Sequence, residues 1–483
     1  MVDEREITDI IDRVRRRVGE PGPQLGKRLA VQESLSGPSA SATGDGVYAT
    51  LDEAISAAAS AYRATRMELD QRKTIIAAVR RAALDQAEVL ARMAVEETGL
   101  GRVDDKITKN RLVAEKAPGP EDLEVQAVTG ARGMMVTEWA PFGVVGAITP
   151  VTNPGATILS NAIAIVSAGN AVVFNPHPSA RRVSNATVRL VNRAIVEAGG
   201  PPDFVVSTVE PTIESARTLM SHPDVRVLLV TGGPGVVREA LKSDKRAITA
   251  GPGNPPAVVD ETADVDKAGA DIVLGASFDN NIVCTDEKET IAVASIADRL
   301  VRSMAEHGAY VLAEHELRKL ERVIFTELGA PGKPGHVNPA WIGRDASRIL
   351  AEIGVRPTVE PRLIVAEVPV EHSLVWTEQM MPVMPVVRVP DVAAAIDLAV
   401  RAEHSFRHTA SIHSTNVATI TAMARAMNCS IFVANGPNFS GLGQGGEGFA
   451  TMSIASPSGD GMTRPRTFSR ERRITVVGAM RIV

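Results

Sequence analysis

The sequence predicts an α/β protein built around two parallel, doubly wound β-sheets. Short aliphatic strands such as AVVFN and VRVLLV alternate with helical segments, which is the pattern of βαβ units. A second series of strands, including ETIAVAS, RLIVAEV and PVVRV, follows in the C-terminal half. The 483 residues exceed the usual length of one domain. We therefore predict two Rossmann-like halves.

Composition excludes several classes of function. The net charge of −5 and the 3% aromatic content provide neither the basic field nor the stacking surface that nucleic-acid binding needs. No charged residue occurs from Trp139 to Ala180, but prolines and asparagines interrupt this stretch. We read it as buried strand, helix and strand rather than as a membrane span. The nine histidines are scattered without metal-ligand spacing, so no metal site is predicted.

The N-terminal residues 1–18 have helical periodicity, with Ile7, Ile10, Val14 and Val18 on one apolar stripe. They lack the continuous apolar core of a secretory signal, and two cysteines in the whole chain fit a reducing, cytoplasmic environment. Residues 19–46 are rich in Gly, Pro and Ser and are predicted to be a flexible linker. The residues alone leave two interpretations open: the helix packs on its own body or a partner subunit, or it docks on another protein.

From Thr50 to Ala117 the pattern is helical, and the strands begin after it. The strand VVGAIT ends in a Pro-rich turn that presents Asn153, whose amide could stabilise an oxyanion or simply satisfy turn groups. A later strand runs into Thr231, Gly232 and Gly233 and then a helix. Glycines at such a turn let the backbone approach a pyrophosphate at the helix N-terminus.

The two cysteines differ in their surroundings. Cys284 follows a helical stretch and a polar turn, where a thiolate would be accessible, so it is a candidate nucleophile. Cys429 stands at the start of an apolar strand, and we interpret it as a packing residue. The constrained loop ITAGPGNPPAVVD contains no general base before Asp260.

Taken in order, several segments resemble the aldehyde dehydrogenase superfamily, and more closely its CoA-acylating branch from bacterial microcompartments. They include WAPFGVVGAITPVTNP, FNPHPSA, TGGPGVV, AGPGNPPAVVD, EQMMPVMPVVRV and GEGFATMSIASP. The resemblance implies a cofactor-binding domain (47–128 and 141–253), a catalytic domain (254–463) and a β-flap (129–140 and 464–483). The flap implies a homo-oligomer, either a dimer or a tetramer.

The resemblance also assigns roles to residues. Cys284 aligns with the nucleophile, and Asn153 with the Cys284 backbone N–H would form the oxyanion hole. Glu378 aligns with the glutamate that holds the nicotinamide ribose in hydrolytic relatives. The remaining positions implied to contact the cofactor are Thr149, Pro150, Asn175, Pro176, His177, Thr231, Gly232 and Gly233, of which Asn175, Pro176 and His177 would lie near the adenosine.

One departure from the hydrolytic pattern predicts the product. Hydrolytic members carry a water-activating glutamate where this chain has Ala250. The resemblance therefore implies oxidation of a small, propionaldehyde-like aldehyde to an acyl-CoA, with NAD as cofactor and coenzyme A as co-substrate. Asn175 replaces the usual lysine at the adenosine strand, so NADP stays open. The alternatives are a hydrolytic enzyme that gives a carboxylic acid and a catalytically silent compartment scaffold.

The same resemblance favours one interpretation of residues 1–18. Microcompartment enzymes carry tethered amphipathic helices that act as encapsulation peptides. Residues 1–18 are therefore expected to contact shell or cargo proteins, and the protein is expected inside a cytoplasmic microcompartment.

Overall fold

Two parallel β-sheets flanked by helices organise residues 43–481, which are the residues that the computed structural model describes. The predicted helix 1–18 and most of the predicted linker lie outside these residues. Residues 43–46, assigned to the linker, lie against the folded body instead. Gly44 and Val47 exchange backbone hydrogen bonds in a tight turn, and Asp45 accepts a hydrogen bond from Arg193 at 2.7 Å.

The segment from Thr50 to Ala117 is helical, as predicted, and strands and helices alternate after it. In chain order the elements are β1 (Val47–Tyr48), α1 (Leu51–Ala64), α2 (Leu69–Asp85), α3 (Ala87–Thr98), α4 (Val103–Lys116), β2 (Gln126–Gly130), β3 (Gly133–Pro141), β4 (Val144–Thr149), α5 (Pro154–Ser167), β5 (Ala171–Pro176), α6 (Arg181–Glu197), β6 (Val205–Thr208), α7 (Ile213–Ser221), β7 (Val225–Thr231), α8 (Pro234–Leu241) and β8 (Arg246–Ala250).

The first sheet is parallel throughout, with strand order β1-β6-β5-β4-β7-β8. The chain moves outward from β4 to β6 and returns to β7 on the other side of β4, so the strand order reverses at β4. The uncharged stretch forms β4, α5 and β5, and all of α5 is buried. This confirms strand, helix and strand; within residues 43–481 no helix has the length and apolar character that a membrane crossing needs.

The second half repeats the alternation. Its elements are β9 (Pro256–Val259), α9 (Val265–Ala276), β10 (Glu289–Val293), α10 (Ala294–Glu306), β11 (Ala309–Val311), α11 (Glu314–Ile324), β12 (Phe325–Glu327), β13 (His336–Val337), α12 (Ala346–Glu352), β14 (Leu363–Glu367), β15 (Val383–Val389), α13 (Val392–Ala402), β16 (Thr409–His413), α14 (Val417–Met427), β17 (Ile431–Ala434), β18 (Ile454–Ala455), β19 (Gly461–Met462) and β20 (Ser469–Val477).

The second sheet has strand order β11-β14-β15-β10-β9-β16-β17 and is also parallel. Its central strands are buried because helices pack on the sheet, which explains their nearly continuous aliphatic sequence. Residues 251–255 connect β8 of the first sheet to β9 of the second. The carboxyl edge of the first sheet therefore leads directly to the amino edge of the second. The prediction of two Rossmann-like halves is confirmed.

A separate three-stranded antiparallel sheet joins β2, β3 and β20. The predicted flap segments contain β3 and β20, and the structure adds β2. Gly133 begins β3 with φ of +124°, and a Cβ there would lie 2.0 Å from the carbonyl oxygen of Val476, so only glycine fits the turn. Apolar residues stay exposed on this sheet: Val128 at 59%, Ile474 at 62% and Val477 at 81%.

Candidate active site

Cofactor candidates meet at the carboxyl edge of the first sheet. Thr149 pairs in register with Pro176 across β4 and β5, and Thr231 pairs with Ala250 across β7 and β8. This edge adjoins β4, where the strand order reverses, and open parallel sheets bind nucleotides in such a crevice. The Thr149 hydroxyl is buried and has no hydrogen-bond partner among the described residues.

The turn after β7 fits a phosphate. Gly233 precedes the first residue of α8, whose N-terminal N–H groups carry partial positive charge. A Cβ added at Gly233 would meet nothing within 4 Å, so the backbone borders open space. Gly232 donates to the carbonyl oxygen of Ala250 at 3.1 Å, which holds the turn against β8. The Thr231 hydroxyl is instead engaged with Ser453 at 2.7 Å.

The adenosine candidates have local partners. The Asn175 amide oxygen accepts from the Ser215 hydroxyl at 2.6 Å, and Ser215 belongs to the capping box that starts α7. Asn175 is 3% exposed, so its side chain holds α7 rather than presenting a free amide. The exposed His177 ring accepts from the Ser179 backbone N–H at 3.1 Å. Cofactor contact by Asn175 and His177 stays a prediction.

Strand register gathers the catalytic candidates at the amino edge of the second sheet. Strands β9, β10, β15 and β16 are neighbours there, and the segments that precede them carry Gly253, Cys284, Glu378 and His408. A Cβ added at Gly253 would lie 2.8 Å from the Cys284 carbonyl oxygen and 3.1 Å from Cγ of His408. The Gly253 backbone N–H donates to Oε1 of Glu378 at 3.4 Å. The structure thus brings Cys284 and Glu378 together.

Cys284 is half-buried, and its thiol is protonated at neutral pH in this state. Burial raises its pKa to about 12, and the negative charge of Glu378 acts in the same direction, whereas Lys288 opposes the shift. A reaction at this sulfur therefore needs a base. Cys429 packs against the core of the second sheet, as predicted, and its thiol donates to the carbonyl oxygen of Ile431 at 3.0 Å.

His408 is a candidate base that was not predicted from the sequence. Its backbone N–H donates to Glu403 at 2.8 Å, its Nδ1 lies 2.9 Å from the Thr409 hydroxyl, and its buried Nε2 has no partner among the described residues. Burial lowers the pKa of His408 to about 4, so the imidazole is neutral at pH 7. The signal available in the sequence was that His408 stands immediately before the strand TASIH, which is buried.

Lys288 is a second residue near Cys284 that was not predicted from the sequence. Its fully buried ammonium donates to three oxygens in the turn before Cys284: Asn281 O at 2.8 Å, Asn281 Oδ1 at 2.7 Å and Val283 O at 3.2 Å. None of these acceptors is charged. Lys288 therefore holds the loop that presents the nucleophile and leaves a positive charge nearby.

Asn153 lies in the turn between β4 and α5, as the N-cap residue immediately before α5, and is 8% exposed. Its amide oxygen accepts from the Lys109 ammonium, and its Nδ2 donates to the Thr152 hydroxyl at 3.2 Å. Lys109 also contacts Asp279, in the turn that precedes Cys284. One buried ionic cluster therefore links the predicted oxyanion donor to the turn that precedes the nucleophile.

The loop after β8 contains no candidate to activate water. Ala250 is buried at the end of β8, and no carboxylate occurs before Asp260. Asp260 accepts hydrogen bonds from the Thr262 backbone N–H at 2.8 Å and from Ser414. It therefore stabilises a turn beyond the opposite end of β9.

Comparison with known proteins shows the family to which the chain belongs. The model of the aldehyde dehydrogenase family matches residues 28–320. The acetylating acetaldehyde dehydrogenase EutE of Escherichia coli K12 is 48% identical over 456 residues, which cover 94% of this chain and 97% of that protein.

Solved structures are similar as well. Propionaldehyde dehydrogenase of Rhodopseudomonas palustris, with bound CoA and an acylated cysteine, has a TM-score of 0.87, 46% identity and coverage of 90% of this chain and 99% of that one. The enzyme of the Clostridium phytofermentans fucose utilisation microcompartment has a TM-score of 0.88, 45% identity and coverage of 91% and 100%. This chain therefore belongs to the aldehyde dehydrogenase family, among its CoA-acylating members.

Proposed function

We propose that this protein oxidises a small aliphatic aldehyde of the propionaldehyde kind to its acyl-CoA. Cys284 forms the thioacyl intermediate, for which bound NAD would supply the hydride acceptor and coenzyme A the acyl acceptor. The observation that carries this proposal is the half-buried Cys284 beside His408 and Glu378, next to a loop without a water-activating carboxylate. The E. coli and R. palustris relatives, named for CoA-acylating chemistry or solved with CoA, support it.

Residues at the carboxyl edge of the first sheet fit a nicotinamide dinucleotide. Gly233 borders open space at the N-terminus of α8, where a pyrophosphate would fit, and the Thr149 hydroxyl lies at the same edge of the sheet. When bound, the dinucleotide supplies the hydride acceptor. Residues 47–128 and 141–253 then form the cofactor-binding domain, and residues 254–463 the catalytic domain.

The chemistry at Cys284 proceeds in two stages. The Cys284 thiol gives its proton to neutral His408, which passes it to solvent before coenzyme A reacts. Sγ adds to the aldehyde carbon to give a hemithioacetal, whose oxyanion the Asn153 amide and the Cys284 backbone N–H stabilise. Loss of hydride from that carbon leaves a thioester on Sγ. The coenzyme A thiol then gives its proton to neutral His408 and attacks the thioester, and the Cys284 thiolate leaves.

The two alternatives are less consistent with the site. Hydrolysis requires activated water, and Ala250 with residues 251–255 provides no carboxylate for that step. The thioester therefore persists until coenzyme A arrives. A silent scaffold would have no need for Cys284, His408 and Glu378 in contact with one glycine.

Following NADH formation from propionaldehyde, with and without coenzyme A, tests the proposed function. With coenzyme A we expect continued turnover and propionyl-CoA. Without it we expect a single burst equivalent to the enzyme concentration. Sustained turnover to propionate without coenzyme A would contradict the proposal.

The β2-β3-β20 sheet is proposed to join a second copy of the chain. Val128, Ile474 and Val477 are exposed on it, and exposed apolar strand residues invite pairing with another chain. Replacing Ile474 and Val477 by glutamate is expected to convert a dimer or tetramer to a smaller species, measured by light scattering during size-exclusion chromatography. An unchanged mass would show that this sheet is not the interface.

Residues 1–18 are proposed to contact shell or cargo proteins of a bacterial microcompartment, where this protein would act. Their amphipathic sequence and the microcompartment origin of the C. phytofermentans relative support this. Deleting residues 1–42 is expected to preserve turnover and abolish co-sedimentation with purified shells. Loss of turnover, or undiminished co-sedimentation, would contradict the docking role.

A further inference from the structure

Three buried charges form a cluster between α4 and the turn before Cys284. The Asp279 side chain is fully buried, and it contacts both the Lys106 ammonium at 2.9 Å and the Lys109 ammonium. The lysine side chains are 4% and 3% exposed. Two positive charges against one negative charge leave an excess positive charge. Burying such a cluster costs desolvation free energy unless each member is paired and hydrogen-bonded, so its presence in the fold requires an explanation.

The cluster contacts the predicted oxyanion donor on one side. Lys109 donates to the amide oxygen of Asn153, whereas Lys106 donates to the backbone carbonyl of Thr152 at 3.1 Å. An ammonium has donors only, so it can face the oxygen of an amide and not the nitrogen. Lys109 therefore fixes which way the Asn153 amide points. Without Lys109 the two orientations of this amide would no longer be distinguished by charge.

On the other side, the cluster is attached to the turn that leads to the nucleophile. Asp279 has φ of +47°, and Asn280 and Asn281 follow with +56° and +63°. Three successive left-handed residues persist only where surrounding contacts hold them. The Asp279 carboxylate accepts from the Arg102 backbone N–H at 2.7 Å, and the Asp279 backbone N–H donates to Asp105 at 3.0 Å. The start of α4 therefore anchors this turn.

We propose that Lys109 is a positioning residue for the reaction at Cys284. By binding the amide oxygen of Asn153, it turns the amide nitrogen toward the oxyanion that develops on the substrate, and Asp279 holds the Lys109 ammonium in place. This inference rests on the proposed function, which assigns Asn153 to the oxyanion. Lys106 is the matched comparison, because it is equally buried, lies on the same helix and pairs with the same carboxylate, but contacts Thr152 instead.

A double-mutant cycle on the full chain tests the proposal. The rate measured is the NADH burst with propionaldehyde and NAD in the absence of coenzyme A. Removing an oxyanion donor costs about 10² to 10³ in rate, so Asn153→Ala is expected to fall in that range. Lys109→Met is expected to slow the burst about tenfold or more in the native background, and to have no further effect in the Asn153→Ala background.

Two more variants separate positioning from stability. Lys106→Met is expected to lower the melting temperature about as much as Lys109→Met does, but to leave the burst rate largely intact. Lys109→Arg keeps a cationic donor at this position and is expected to recover most of the burst rate. If Lys109→Met does not fold, Lys109→Arg still tests the role of Lys109.

The outcomes are distinguishable. If Lys109→Met slows Asn153→Ala by the same factor as it slows the native chain, Lys109 does not act through Asn153 and the inference is wrong. Equal rate losses in Lys106→Met and Lys109→Met would likewise overturn it. A full burst rate in Asn153→Ala would overturn the oxyanion assignment itself, and with it the role of Lys109.

Discussion

Replacing Cys284 by alanine is expected to abolish aldehyde oxidation, lowering the rate of NADH formation by about 10⁴-fold or more. The reason is that the hemithioacetal and the thioester both require Sγ. Folding should be preserved, because the substitution removes one atom from a half-buried loop that Lys288 holds by its carbonyl oxygens. The initial rate with propionaldehyde, NAD and coenzyme A measures the effect, and the melting temperature monitors the fold.

Cys429→Ala is the matched control, because Cys429 is the other cysteine of the chain and packs against the core of the second sheet. It is expected to retain turnover. Full activity in Cys284→Ala, or equal losses in the two variants, would contradict a covalent role for Cys284.

Replacing His408 by glutamine is expected to slow acyl-CoA formation about 10² to 10⁴-fold, the usual contribution of a general base. Glutamine keeps hydrogen-bonding capacity but cannot accept the thiol proton. The residual rate should rise with pH, because the coenzyme A thiol then has to ionise without help. Added imidazole should restore part of the rate. Steady-state acyl-CoA formation across a pH series measures both effects.

His404 provides the control in the same loop. Its Nε2 lies 2.8 Å from the carbonyl oxygen of Trp376, so its ring is already engaged in a structural contact. His404→Gln is expected to show neither imidazole rescue nor a new pH dependence. The base assignment for His408 is wrong if His408→Gln keeps its turnover, or if the two variants respond identically to imidazole.

The fold was largely predictable because its signals are local. Aliphatic strands such as those of β5 and β7 alternate with helices, and the uncharged stretch around α5 is buried as expected. The flap was predicted only through the family resemblance, and β2 was missed because QAVTG is short and fully exposed, so it carries no buried apolar face to indicate a strand.

The positions of candidate residues were predictable where one motif marked one turn. Cys284, Asn153 and Glu378 lie in distinctive polar turns, and the structure places Glu378 beside Cys284. His408, Lys288 and Lys109 could not be found in this way, because the register of separate strands and the packing of α4 bring them to the site. Asn175 shows the converse: the resemblance implied a contact with the adenosine, but a local contact with α7 engages its amide.

The proposed thioacyl group on Cys284 can be observed directly. The protein is incubated with propionaldehyde and NAD without coenzyme A, and the Cys284 peptide is analysed by mass spectrometry before and after coenzyme A is added. We expect one propionyl group on Cys284. After coenzyme A is added, we expect a free Cys284 thiol and an equal amount of propionyl-CoA. An unmodified Cys284 peptide together with propionate in solution would contradict this expectation.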